Sequence, residues 1–353
     1  MTTLIWQTGT AYDLFASLHV LHRPQEFGLR RAWAAGVRAR LPEAHRRTLE
    51  RFAASLLLPF PWVAALPRQD AAEAVEALRA LPADSRLTQA FLAADTPPEA
   101  RQVLLDVARR GAWNADDLRT LQRAFAAFPK PPRKAALAER LNLWAEATTF
   151  GEALVAALAA YLEVFFAEEE ARLRPALSEA VAHARQRAEG LPLADLLLAL
   201  TQGVRFPEAE TMTRLTLAPS FWLSPLVVFR RLGETEGLLV FGARPEGASL
   251  VPGEGVPDAL LHGLQALSDP TRLRILRYLG ERAHTPTELA RRLRLRPPTV
   301  VHHLHALRLA GLVYLTVEGR QRRYAARIEQ LETLWRQLRA FTTPDADLAP
   351  PEE

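Results

Sequence analysis

The strongest constraint on fold in this 353-residue chain is a dense run of helix start and stop signals between residues 258 and 341. Asp269 stands before Pro270, so a side-chain acceptor and a residue without an N–H occupy the positions where a helix leaves donors unpaired. Leu273, Leu276 and Leu279 then line one face of a helix over 270–279. Thr285 lies three residues before Glu288, the spacing of a reciprocal capping box, and opens a short helix over 286–293. A turn at Arg294, Leu295 and Arg296 leads to Pro297 and a helix to residue 310, where Gly311 supplies a left-handed stop. Residues 312–317 and 322–326 read as two strands of a hairpin around Glu318, Gly319 and Arg320. Amphipathic helices over 259–267 and 328–341 flank the unit.

This order predicts a winged helix-turn-helix, whose second helix enters the major groove of double-stranded DNA with its N-terminal half against base edges. Val300, Leu304 and Leu307 share the inner face, which leaves Pro298, Thr299, His302, His303 and Ala306 outward. Thr287, Arg296, Pro298, Thr299, His302, His303 and Arg308 are therefore the candidate DNA contacts of the helix pair. Arg320, Arg322 and Arg323 in the wing suit phosphate or minor-groove contact. Charge supports the same segment. Residues 258–341 hold 15 Arg against 7 Asp+Glu, a net of +8, whereas residues 1–257 balance at 29 of each sign. Such a block matches a polyanionic partner.

Residues 258–327 resemble the ArsR-type winged-helix family. The matching stretches are Leu267-Ser268-Asp269-Pro270-Thr271-Arg272-Leu273-Arg274-Ile275-Leu276, Glu288-Leu289-Ala290, Thr299-Val300-Val301-His302-His303-Leu304 and Leu307-Arg308-Leu309-Ala310-Gly311-Leu312-Val313. The resemblance implies a prokaryotic, homodimeric repressor that dimerises through the flanking helices, here 259–267 and 328–341, and the lack of an export signal points to the cytoplasm. Val301 departs from the pattern, because the family often has Ser there; a methyl contact to thymine takes the place of a polar one. Metal-sensing members use cysteines in the first helix of the pair. This chain has none anywhere, so arsenic, cadmium or thiol-redox sensing through that site is excluded, as are disulfides and iron–sulfur chemistry.

Residues 12–200 are mostly helical by periodicity and composition, punctuated by prolines. Asp95 and Asn114 are candidate caps, and a long helical run over 134–190 carries possible breaks at Gly151 and Pro175. Short β-prone runs at 213–217, 226–230 and 238–241 suggest a meander. The predicted fold is mostly α: a helical N-terminal domain over 1–245 ending in a small β-meander, a Pro/Gly-rich linker over 246–257, the winged helix-turn-helix over 258–341 and a disordered acidic tail over 342–353. The N-terminal domain also resembles, loosely, a long helical domain found ahead of such winged helices, through Leu18-His19-Val20-Leu21-His22-Arg23-Pro24, Trp33 and Leu217-Ala218-Pro219-Ser220.

Other features carry less. The apolar stretch 153–166 is shorter than the ~20 residues of a membrane span, and no export signal opens the chain. His302, His303 and His305 are read as DNA-facing or plain surface side chains rather than metal ligands, and His19 and His22 as structural. Glu168, Glu169 and Glu170 point to different helix faces. The tryptophans are core, or line an effector pocket. No catalytic spacing, P-loop or dinucleotide motif occurs, so neither enzymatic activity nor a cofactor or metal is expected. The reading is a homodimeric DNA-binding repressor with an unknown small-molecule effector; the alternative is a small-molecule-binding or enzymatic domain with an accessory winged helix.

Overall fold

The computed structural model describes residues 2–128, 131–245, 248–251, 256–318 and 321–343. Helices dominate. Helix α1 (Ala11–His22) is buried along nearly its whole length and lies at the centre of the helical body. Shorter helices between Arg31 and Ala145 surround it. Asn114 forms a complete capping box with Asp117, as its position suggested. Asp95 caps nothing; its carboxylate pairs with Arg230 at 3.0 Å, and Pro97 occupies the cap position.

The long helical run breaks before Ala147 and not at Gly151. Helix α2 (Ala147–Tyr161) continues through a π-helical turn, Leu162–Phe166, into α3 (Ala167–Gly190), with Pro175 inside it. Gly151 is there for closeness: a Cβ would meet the Ala83 carbonyl oxygen at 2.6 Å. One 18-residue window of this run has a mean hydropathy of 1.7, long and apolar enough for a membrane span. Half of that window is buried inside the protein, as in a core helix. The run therefore extends past the stretch delimited from sequence.

The strands near 211–243 exist, but their connectivity is mixed and not a meander. The order is β1 (Thr3–Trp6), β3 (Arg214–Ser220), β5 (Glu236–Gly242), β4 (Val228–Arg231). β1 and β5 both run parallel to β3, and only β4 is antiparallel to its neighbour. Burial explains this: β3 and β5 are buried on both faces, as parallel strands covered by helices are. Asp13 of α1 ties the sheet to the helices. Its carboxylate accepts from Ser220 Oγ at 2.5 Å, Phe221 N at 3.1 Å and Trp222 N at 2.9 Å. After α3 come α4 (Leu193–Leu200) and β2 (Val204–Arg205).

The C-terminal module follows the expected order closely. It comprises α5 (Asp258–Leu267), α6 (Pro270–Glu281), α7 (Pro286–Leu293), α8 (Pro297–Leu309), β6 (Val313–Glu318), β7 (Gln321–Ala326) and α9 (Glu329–Thr342). Ile275, Leu279, Leu289, Val300, Leu304, Leu307 and Leu312 form a core of their own. At about 1.5–3 kcal/mol per buried aliphatic side chain, this core is the main source of the module's cohesion. The predicted linker is held down where it is described. Leu250 is buried, Asp258 accepts from Leu250 N at 2.9 Å, and Arg244 lies 3.1 Å from Asp258. The tail beyond residue 343 lies outside the described residues.

Candidate nucleic-acid interface

The helix pair is set by local chemistry. Asp269 accepts from Arg272 N at 2.9 Å and so caps α6. Thr285 and Glu288 form the capping box of α7: Glu288 accepts from Thr285 N at 2.7 Å and Thr285 from Glu288 N at 3.3 Å. Arg294 closes α7 in a left-handed conformation, with φ 56°. That residue redirects the chain into α8, which begins at Pro297 and stops before Gly311, left-handed at φ 69°.

Val300, Leu304 and Leu307 are fully buried, and this rotates the N-terminal half of α8 outward. Arg296, Pro298, Thr299 and His302 are exposed there, and Thr287 is exposed on α7. Val301 adds an exposed apolar surface of 44%. On the hairpin, Arg322 and Arg323 are exposed, whereas Arg320 lies outside the described residues. His303 is largely covered, its side chain 14% exposed. Its Nδ1 sits 3.9 Å from Asp269, and burial holds its pKa below the usual histidine range, so it is neutral at pH 7.

Arg294 was not among the residues selected from sequence. It is exposed beside Arg296 and, like Arg296, makes no ion pair with a described residue. Its signal was the Arg-Leu-Arg turn itself: a turn that redirects a helix pair places its polar side chains at the surface.

Arg308 is a correction. It is 4% exposed and faces the helical body, away from solvent. Its Nη2 donates to the carbonyls of Thr201 at 2.8 Å and Pro225 at 3.1 Å, and its Nη1 to Gln202 at 3.3 Å. Thr201 and Gln202 end helix α4, where unpaired carbonyls and the helix dipole favour a cation. Burial lowers the Arg308 pKa only to about 10, so it stays charged at pH 7. Three more contacts join module and body. Arg327 donates to the Gln202 carbonyl at 3.2 Å, His305 Nε2 donates to the Glu26 carbonyl at 2.6 Å, and β2 pairs in parallel with β6. The sequence offered Arg308 as a DNA contact because it is a cation on α8; what no local pattern could contain is that a second body covers it.

Residues 267–315 match the family described as "Helix-turn-helix domain". The chain is also similar to the "HTH-type transcriptional regulator CmtR" of Mycobacterium bovis and of two strains of Mycobacterium tuberculosis, with 51% identity over 61 residues in each. That similarity covers 17% of this chain and 52% of each relative, so the chain spans about half the length of the curated relatives it matches. The protein is mostly α-helical and carries a C-terminal helix-turn-helix domain.

Proposed function

We propose that the protein is a cytoplasmic DNA-binding transcriptional regulator, a homodimeric repressor of the winged ArsR type. In this reading α8 lies in the major groove and residues 318–323 meet the backbone or minor groove. The observation that carries it is the exposed N-terminal half of α8. Arg294, Arg296, Thr299 and His302 stand together there on a scaffold whose inner face is fully buried. The regulator names of the similar proteins support the same reading. No chemistry is assigned to the chain, which acts by binding.

Dimerisation through α5 and α9 is supported by an apolar surface those helices leave open: Leu264, Ile328, Phe341 and Trp335, the last 67% exposed. A second copy of the same face would cover it by two-fold symmetry. The test is a titration of duplex DNA at a series of salt concentrations. Phosphate contacts make log affinity fall linearly with log salt. Absence of binding at low salt refutes the proposal.

A further inference from the structure

The positive charge of the helical body is gathered into one segment. Residues 23–47 hold seven Arg and two acids, a net of +5, so the rest of residues 1–257 carries a net of −5. Arg23 is engaged within the fold, where it donates to the Ala53 carbonyl at 2.7 Å, and Arg47 pairs with Glu43. The helix Arg31–Ala39 contains no acid. Ala34 and Val37 bury its inner face, which turns Arg31 and Arg38, seven residues apart, to a common outer side. Their Cα atoms stand about 10 Å apart along the axis. Arg31 is exposed and Arg38 half-buried, and neither forms an ion pair with a described residue. Ala32, Ala35, Gly36 and Ala39 are exposed around them, and a Cβ at Gly36 would meet nothing within 4 Å. The result is a low, uncompensated basic surface.

That surface adjoins α8. The segment leading into it is held between two helices of the C-terminal module. The Glu26 carbonyl accepts from His305 Nε2 of α8 at 2.6 Å. Gly28, left-handed at φ 72°, lies so close to α5 that a Cβ there would meet His262 Nε2 at 1.8 Å. Arg31 follows Gly28 by three residues, so their Cα atoms are at most about 11 Å apart, the full reach of the chain. On α8, Val301, His305 and Arg308 share one face through their spacing of four and three. The body covers Arg308 and touches His305, whereas Val301 stays exposed. One face of α8 therefore runs from the contact with the body straight to the open N-terminal half.

We infer that the helix Arg31–Ala39 is a second DNA-contacting element, in which Arg31 and Arg38 meet phosphate oxygens. A helix lying in a major groove about 12 Å wide has a phosphate ridge on each side. With α8 in the groove, the ridge on the Val301–His305 side runs along the body beside Arg31. The inference rests on the DNA-binding reading and extends it from the module to the body. Contacts of this kind carry no sequence information; they add affinity and fix the register of the protein on the duplex. Bound duplex then bridges body and module, so by linkage it holds the two docked.

The test titrates the full chain with a mixed-sequence duplex of about 30 base pairs, some three helical turns, over a series of salt concentrations. Arg31→Ala with Arg38→Ala lowers the slope of log affinity against log salt by about 1.8, which is about 0.9 for each phosphate contact. Arg31→Lys with Arg38→Lys keeps both charges and retains the slope. Arg31→Gln with Arg38→Gln repeats the loss with longer side chains, so the comparison does not depend on how the Ala pair folds. Arg119→Ala with Arg123→Ala removes the same charge from a helix that packs on Pro98–Arg110 and Lys134–Ala145, and leaves the slope in place. A slope unchanged in the Ala and Gln pairs overturns the inference. An equal fall in the Arg119 and Arg123 pair also overturns it, because net charge alone would then account for the effect. If the wild-type chain binds no duplex at low salt, the DNA-binding reading fails and this inference with it. If the wild type binds and only the slope comparison fails, that reading stands.

Discussion

Consider the variant Arg308→Ala. The wild-type guanidinium makes two short hydrogen bonds, to Thr201 O at 2.8 Å and Pro225 O at 3.1 Å, and a longer one to Gln202 O at 3.3 Å. Gln202 O keeps Arg327 as a second donor, so two carbonyls lose their partner outright. Bonds to a charged donor contribute about 1.5–3 kcal/mol each, and water entering the gap restores part of that. The expected loss is about 3–5 kcal/mol, concentrated on the docking of the module. Trp335 is the single tryptophan of residues 258–341, against six in residues 1–257. Urea unfolding followed by 5-fluorotryptophan NMR therefore reports the two parts separately. In the wild type all seven signals move together; in Arg308→Ala the Trp335 signal moves first. A Trp335 midpoint that stays with the others refutes the docking role. DNA binding gives an independent check, because a buried arginine touches no phosphate. The slope of log affinity against log salt is unchanged by the substitution, whereas a slope smaller by about one contact would place Arg308 on DNA after all.

Other consequences are as concrete. Burial raises the Asp13 pKa from 3.8 to about 6 despite its three donors. The folded state then holds a proton that the unfolded chain has lost, so stability falls as pH rises from about 4 to 6, by about 3 kcal/mol. Asp13→Asn removes this slope in denaturation measured across that window; an unchanged slope assigns it to another group. Arg294→Gly relieves a left-handed residue at φ 56° and raises the melting free energy by about 0.5–1 kcal/mol, with weaker DNA binding. A lower melting temperature contradicts the strain argument. Trp335→Arg yields a monomer in sedimentation equilibrium if α5 and α9 form the dimer face, and a dimer that persists removes that face from consideration.

The parts of this protein legible in its sequence are those whose cause lies within a few residues. Asp269, the Thr285–Glu288 box and Gly311 each act on backbone groups no more than four positions away, and each stands where the periodicity placed it. The inner face of α8 was legible for the same reason. Features that depend on distant segments were not. β1 pairs with a strand more than 200 residues later, so three β-prone runs suggested a meander where the sheet is mixed. The two residues of β2 carry no strand signal of their own. The burial of Arg308 needs a partner surface assembled from residues 201, 202 and 225, which no local pattern announces.

The pairing of β2 with β6 has a practical side. A hairpin alone leaves one row of backbone N–H and C=O groups open along β6, and such an edge is a template for joining other chains. Here Val204 and Arg205 cover it at Leu315 and Thr316, and Leu315 N donates to Gly203 O at 2.9 Å. A helix-turn-helix fragment cut at the compositional boundary near residue 257 would lose that cover. It would be prone to aggregate and unsuited to transplantation into another protein, although its own core is complete. A peptide spanning residues 201–206, supplied in trans or fused through a short connection, is the smallest addition that restores the missing edge.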